Sequence, residues 1–163
     1  SLLELLLVLG IIAALVVAAF IVYPKVQASQ RSQAESNNIA TIQAGVKALY
    51  TSASSFTGLN NSVAVQAKIF PDNMLSGSGN SATPINAFKG AVTLGVANTS
   101  FTITYDNVPA AECTKIMTAT AGNFYIAQVG STTVKPAGGT LDVAATAGAC
   151  SDANSNTLIF TSI

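Results

Sequence analysis

An almost unbroken apolar run at the start of the chain constrains its fold more than any other feature. The run extends from Leu2 to Tyr23, and its only charged residue is Glu4. As a helix it rises roughly 33 Å, against a hydrocarbon core about 30 Å thick, so it is long enough to span a membrane. A carboxylate inside a bilayer is costly and is usually retained for a partner. The sequence therefore predicts a membrane-seeking helix whose Glu4 has a partner outside that helix.

The helical pattern continues beyond the apolar run. Pro24 cannot donate the helical hydrogen bond to the Phe20 carbonyl, which predicts a kink, and Gly10 is a weak point because glycine disfavours helix. Beyond Pro24, apolar residues recur at intervals of three and four, as on one face of an amphipathic helix: Ile39, Ile42, Val46 and Leu49. These features predict one helix from Leu2 to about Ser52.

Composition argues against several classes of function. Seven basic and seven acidic residues are spread singly along the chain, so no nucleic-acid footprint is expected. Histidine is absent from the sequence, which removes the commonest general base and metal ligand, and no enzyme, cofactor or metal site is expected. Two pairs of acidic residues could be considered as catalytic carboxylates or calcium ligands: Asp106 with Glu112, and Asp142 with Asp152. Neither pair has the spacing of a calcium-binding loop, so both are interpreted as solvated surface residues.

The two cysteines, Cys113 and Cys150, allow two interpretations. They form a disulfide if the domain is exported, and otherwise they are two buried free thiols. A disulfide closing a loop of this length would stabilise the fold by about 4 kcal/mol in the chain-entropy model.

Ordinary explanations of the apolar run are incomplete. A cleavable signal peptide needs a basic segment and a cleavage site, but here the run flows directly into a longer helix. A plain anchor leaves Glu4 unexplained. The first cations after the run, Lys25 and Arg31, would keep that flank in the cytoplasm, where a disulfide would not persist. A basic leader, removed from ahead of Ser1 on the cytoplasmic side, resolves that conflict.

The stretch SLLELLLVLGII resembles the mature N-terminus of type IV pilins and of the related pseudopilins of type II secretion. In that family a prepilin peptidase removes a basic leader and the new terminal residue is methylated. The family's Glu is the fifth mature residue and here it is the fourth, so one residue is expected ahead of Ser1. The stretch FTITYDNVPAAECTKI is similar to the thin-pilus pilins of conjugative plasmids and enteric pathogens, in the type IVb branch.

The resemblance implies an α+β fold in which a long N-terminal helix, membrane-spanning in its first half, packs on an antiparallel sheet, with a disulfide near the C-terminus. Residues 1–24 would form the transmembrane and filament-core segment, and residues 25–163 the globular domain. Within that domain, residues 25–52 would be the amphipathic half of the helix, 53–89 the αβ-loop and 90–163 the sheet and disulfide region.

Local patterns predict the remaining elements. AVTLGVA and FTITYDN alternate like a hairpin joined at Asn98 and Thr99, and Pro109 suits the start of a helix that runs to about Ala119. The other segments are a short helix at VAVQAKIF, a turn at PDNM, an exposed loop at LSGSGNSATP, a strand at FYIAQVG, a short helix at LDVAATAGAC and a strand inside the sheet at NTLIFTSI. The core is expected to include five aromatic residues: Phe101, Tyr105, Phe124, Tyr125 and Phe160.

The function implied by the resemblance is that of a structural subunit. It would be held in the bacterial inner membrane and then polymerise into an extracellular pilus for adhesion, aggregation or conjugative mating. Its partners would be further copies of itself in a helical filament, the peptidase and the assembly machinery. Glu4 would face the terminal amine of a neighbour, and Gly10 and Pro24 would bracket a stretch able to unwind. The alternatives are a minor pilin or pseudopilin, and a monomeric membrane-anchored exported binding domain.

Overall fold

The N-terminal part of the chain is one long helix. A computed structural model describes residues 1–97 and 99–163, with side chains described for 1–18, 29–97 and 99–163. Helix α1 is Leu2–Leu49, which confirms the single predicted helix to within three residues of its expected end. The Thr51 hydroxyl donates to the Lys47 and Ala48 carbonyls, so it satisfies acceptors that the end of the helix leaves open. The kink expected at Pro24 lies outside the residues whose side chains are described.

The rest of the chain forms short helices and a sheet. The helices after α1 are α2 (Asn61–Gln66), α3 (Ala110–Thr120) and α4 (Val143–Ala149). The strands are β1 (Leu75–Ser76), β2 (Thr83–Pro84), β3 (Val92–Ala97), β4 (Ser100–Val108), β5 (Ile126–Val129), β6 (Thr132–Lys135) and β7 (Asn156–Ser162). Short 3-10 turns lie at Asp72–Met74, Gly79–Ser81 and Ala121–Asn123. The α+β class is therefore confirmed.

The main sheet is antiparallel with the strand order β3-β4-β7-β5-β6. The C-terminal strand β7 lies at its centre, where Phe160 is opposite Ile103 on one side and Ala127 on the other. The expectation that the last segment lies inside the sheet is confirmed. Strands β3 and β4 form the expected hairpin, although Asn98 of its turn lies outside the described residues.

Strand β6 was not predicted, and its burial explains why. Its first two residues are exposed and its last two, Val134 and Lys135, are both buried. A register shift against β5 between Ala127 and Gln128 breaks the alternation from which a half-buried strand is recognised. The loop predicted at residues 75–84 also differs, because its ends pair as the two-residue strands β1 and β2 around an exposed tip.

The core lies between the second half of α1 and the sheet. From α1, Ile39, Ile42 and Val46 are fully buried, as their spacing predicted, whereas Leu49, the fourth residue of that predicted face and the last of the helix, is 46% exposed. From the strands, Phe101, Ile103, Tyr105, Leu158 and Phe160 are fully buried. The expectation that Tyr125 belongs to this core is wrong: its side chain is 38% exposed and lies beside Gly138 at the surface.

The disulfide Cys113–Cys150 is confirmed. It joins the first turn of α3 to the residue that ends α4, so it ties the segment containing β5, β6 and α4 to the core. Helix α3 begins directly after Pro109 and continues to Thr120, as predicted from the proline.

Candidate assembly surface

The first part of α1 exposes its apolar side chains along the whole described length. Those of Leu2 and Leu3 are nearly four-fifths exposed, and the members of this surface are Leu2, Leu3, Leu5, Leu6, Leu7, Val8, Leu9, Ile11, Ile12, Leu15, Val16 and Val17. Soluble monomers rarely expose an apolar patch of this extent, and larger patches mark protein or membrane contacts. We call this set the apolar stem.

Glu4 lies on the apolar stem with 85% of its side chain exposed. Its Oε2 is 3.6 Å from the Ser1 nitrogen, and the Ser1 hydroxyl accepts from the Glu4 amide at 3.5 Å, as an N-cap does. An ion pair this exposed is worth little because water screens it. The carboxylate is therefore accessible to a stronger cationic partner.

Gly10 lies inside the continuous helix, and a Cβ added there would meet nothing within 4 Å. No contact among the described residues requires glycine at this position. Pro24, the other predicted flexibility residue, lies outside the described side chains.

Across residues 1–18, 29–97 and 99–163, no helix has an apolar stretch long enough to cross a bilayer. Residues 19–23, the end of the span predicted from the sequence, lie outside those ranges.

The second half of α1 is fixed to the globular part by polar contacts as well as by the core. Arg31 lies 3.4 Å from Glu112 of α3, and its guanidinium lies over the Phe88 ring. The Gln43 amide donates to the Asn123 carbonyl at 2.8 Å and to the Ser162 hydroxyl at 3.1 Å, which connects α1 to the end of β7.

Glu112 corrects the expectation of a solvated surface carboxylate. It is buried, with Arg31 as its ionic partner. The signal for this burial is its spacing: Glu112 lies four residues before Ile116, on the face of α3 that enters the core. The other acidic residues are used locally. Asp142 caps α4 through the Ala145 amide, and the Asn154 and Ser155 amides lower the pKa of the exposed Asp152.

A second buried carboxylate, Glu35, was missed entirely. It lies four residues before the buried Ile39 and is 3% exposed. Its Oε1 accepts from the Ala87 amide at 3.2 Å and from the Asn38 side chain at 3.5 Å. Burial raises the pKa of the Glu35 carboxyl more than the nearby Tyr105 hydroxyl, the Ala87 amide and the Asn38 side chain lower it.

The open edge of the sheet at β3 is occupied by a side chain from α2. Asn61 accepts from the Leu94 amide at 2.8 Å and donates to the Val92 carbonyl at 3.0 Å, as a neighbouring strand would. Unpaired strand edges are templates for unwanted pairing, and covering them prevents it. Helix α2 therefore protects this edge, while the apolar stem remains exposed.

Comparison with known proteins gives one family and a common fold. The family described as "PilS N terminal" matches residues 29–163. A type IVb pilin from Salmonella typhi is similar in structure, with a TM-score of 0.62 and 19% identity over 78% of this chain and 97% of that chain. TcpA, a type IV pilin from Vibrio cholerae El Tor, has a TM-score of 0.57 and 16% identity over 82% and 99%. No curated protein matches the sequence. The similarity to the two solved structures confirms the fold that the resemblance implied.

Proposed function

This chain belongs to the PilS N-terminal family, and from that premise we propose that it is the structural subunit of an extracellular type IV pilus. In this function the apolar stem is the polymerising element and the disulfide-bonded domain forms the outer surface of the filament. The observation that carries the proposal is the contrast between a tightly packed domain and a helix whose first turns expose nearly every large apolar side chain.

The apolar stem explains how assembly is driven. Burial of apolar surface stabilises an association by roughly 25 cal/mol per Å², so a dozen large side chains passing from exposed to buried represent a large favourable free energy. Before assembly the stem needs another apolar environment, and we propose that the run Leu2–Tyr23 lies in the bacterial inner membrane. Polymerisation then exchanges lipid contacts for contacts between copies of the chain.

Glu4 supplies the register of the assembly. Apolar helices can slide past one another at little cost, whereas a carboxylate inside the bundle is stable only opposite a positive charge. We assign that charge to the terminal amine of the neighbouring mature subunit. Since a pair of charges interacts far more strongly in a low-dielectric core than in water, the contact fixes one stagger between adjacent helices.

The proposed function includes maturation of the subunit and a use for the filament. A prepilin peptidase would remove a leader, the new terminus would be methylated, and an assembly machinery would extract the subunit. The extracellular filament would serve adhesion, aggregation or conjugative mating. The disulfide suits that location because disulfides persist in oxidising compartments.

Electron microscopy of sheared surface material, labelled with antibody to this chain, tests the proposal. A major pilin is labelled along the whole filament. Sparse label at filament ends would instead indicate a minor pilin or pseudopilin. Label that stays in the membrane fraction, with no filament, would contradict the proposed function and favour a monomeric anchored domain.

A further inference from the structure

Glu35 connects α1 to a tight turn at residues 86–90, which we call the latch turn. The contact is direct, because Glu35 Oε1 accepts from the Ala87 amide at 3.2 Å. The second oxygen, Oε2, is buried and makes no hydrogen bond in the part of the chain that the structure describes. A buried carboxylate oxygen without a donor is unstable when charged.

The latch turn is rigid within itself. The Asn86 side chain accepts from the Phe88 and Gly90 amides at 2.9 and 3.0 Å, and the Asn86 amide donates to the Gly90 carbonyl at 2.9 Å. These bonds close the turn internally, and Asn86 Nδ2 also donates to the Asp106 carbonyl of β4 at 2.8 Å. Release from α1 is therefore a movement of the turn about its attachment to β4. Its contacts with α1 include the Ala87 amide on Glu35 and the Phe88 ring under Arg31.

The charges around Glu35 are engaged elsewhere. On α1, Arg31 is directed to Glu112 of α3, and in the latch turn Lys89 is exposed to solvent. On β4, the Asp106 carboxylate accepts from Thr157. The Tyr105 hydroxyl donates to Met74 Sδ at 3.9 Å and is also a donor near the Glu35 carboxylate, whose pKa it lowers by less than burial raises it.

We propose that Glu35 is a proton-controlled latch that holds the latch turn on α1 while its carboxyl is protonated and releases it when the carboxyl ionises. The neutral acid keeps Oε1 as acceptor for the Ala87 amide and carries no buried charge. The ionised carboxylate accepts more strongly from the Ala87 amide, but burial disfavours its charge by more than this bond favours it. It therefore gains free energy by reaching water, which requires the latch turn to move away from α1. The latch turn ends the 53–89 segment, so external pH would change the shape of a surface beside α1. The inference does not depend on filament formation.

Hydrogen exchange of the full-length chain in detergent micelles tests the latch, with Glu35→Gln as the matched control. Glutamine keeps an acceptor oxygen for the Ala87 amide and cannot ionise. Comparing the two chains at each pH removes the intrinsic pH dependence of exchange. We expect equal protection of the Ala87 amide, which donates to Glu35, in acid, whereas the Phe88 and Lys89 amides are bonded inside the latch turn and should keep their protection throughout. As pH rises, opening of the wild type relative to the variant should increase, by up to about tenfold per pH unit.

A ratio of opening that stays constant from acid to neutral pH would overturn the proposal. Amides of α3 (Ala110–Thr120) provide the internal control and should show no such trend. A carbon-13 titration of the Glu35 carboxyl in the wild type gives a second measurement that needs no variant. The midpoint should lie above the ordinary 4.5 of a glutamate. A midpoint at or below that value would equally refute the latch.

Discussion

Gly90 lies where two backbone segments approach too closely for any side chain, so Gly90→Ala should destabilise the domain strongly. A Cβ at this position would overlap the Asp106 carbonyl oxygen and would come within 2.9 Å of the Asn107 Cβ. The obstructing atoms are backbone of β4 or attached directly to it. They cannot rotate away as the end of a flexible side chain could.

The expected loss of stability follows from the two backbone segments that must move apart. To restore ordinary contact distances, the latch turn (residues 86–90) and β4 must separate by on the order of 1 Å. That movement breaks or weakens two bonds: Asn86 Nδ2 to the Asp106 carbonyl at 2.8 Å, and the Asp106 amide to the Ala91 carbonyl at 3.1 Å. At about 1 kcal/mol for each bond, and 1 to 3 kcal/mol for overpacking, the loss is about 3 to 5 kcal/mol.

Thermal unfolding of the full chain in micelles, followed by near-ultraviolet circular dichroism, measures this loss. A destabilisation of 3 kcal/mol corresponds to a fall in Tm of roughly 6 to 12 °C for a chain of this size. Gly148→Ala is the matched control, because a Cβ there meets nothing within 4 Å and the residue lies inside α4. It should be neutral or stabilise by about 0.5 to 1 kcal/mol. A Gly90→Ala chain that melts within 2 °C of the wild type would refute the reasoning.

Three further outcomes are expected. Cys150→Ser should lower the free energy of unfolding by about 2 to 5 kcal/mol and leave the C-terminal region protease-sensitive, whereas two titratable thiols in the unreduced wild type would contradict the disulfide. Asn61→Ala should lower the free energy of unfolding, measured by chemical denaturation, by about 1 to 2 kcal/mol, because the Val92 carbonyl and the Leu94 amide lose their partner. An unchanged free energy of unfolding would mean that water replaces the Asn61 side chain without cost. In a filament, the stretch between Gly10 and Pro24 should lose helical bonds, and a cryo-electron microscopy map with unbroken helical density there would count against that prediction.

The fold could be predicted wherever a helix or strand is marked by a pattern of neighbouring residues in the sequence. The alternation of Phe101, Ile103 and Tyr105 reports a strand with one buried face, and Pro109 marks the start of α3 because proline fits the beginning of a helix. Strand β6 was missed because a bulge breaks its alternation. Tyr125 was misplaced because its surroundings at the surface, which include Gly138, come from a part of the chain 13 residues away and cannot be read from the local pattern.

The candidate site divides in the same way. The apolar stem is one continuous stretch of sequence with Glu4 as its only charged residue, so both could be recognised without a structure. Glu35 could not be assigned a role because its partner, the Ala87 amide, is 52 residues away and reaches it only through the folding of the intervening loop. Its spacing to Ile39 was a usable signal, but charged residues are seldom fully buried, so the expectation favoured solvent.

If Glu4 is retained for assembly, as proposed, the filament yield of Glu4→Leu shows this most directly. The variant is expressed in cells lacking the normal protein, beside Leu5→Ile as a control that alters the apolar stem without altering charge. The membrane-bound pool should survive or increase, because leucine makes the run more hydrophobic. Sheared filament should fall sharply, because an uncompensated amine in the filament core costs about 3 to 5 kcal/mol per docked subunit. Glu4→Gln should be nearly as defective, since an amide cannot neutralise the amine, while Glu4→Asp should be partly active. Normal filament yield from Glu4→Leu, with processing confirmed, would contradict the account.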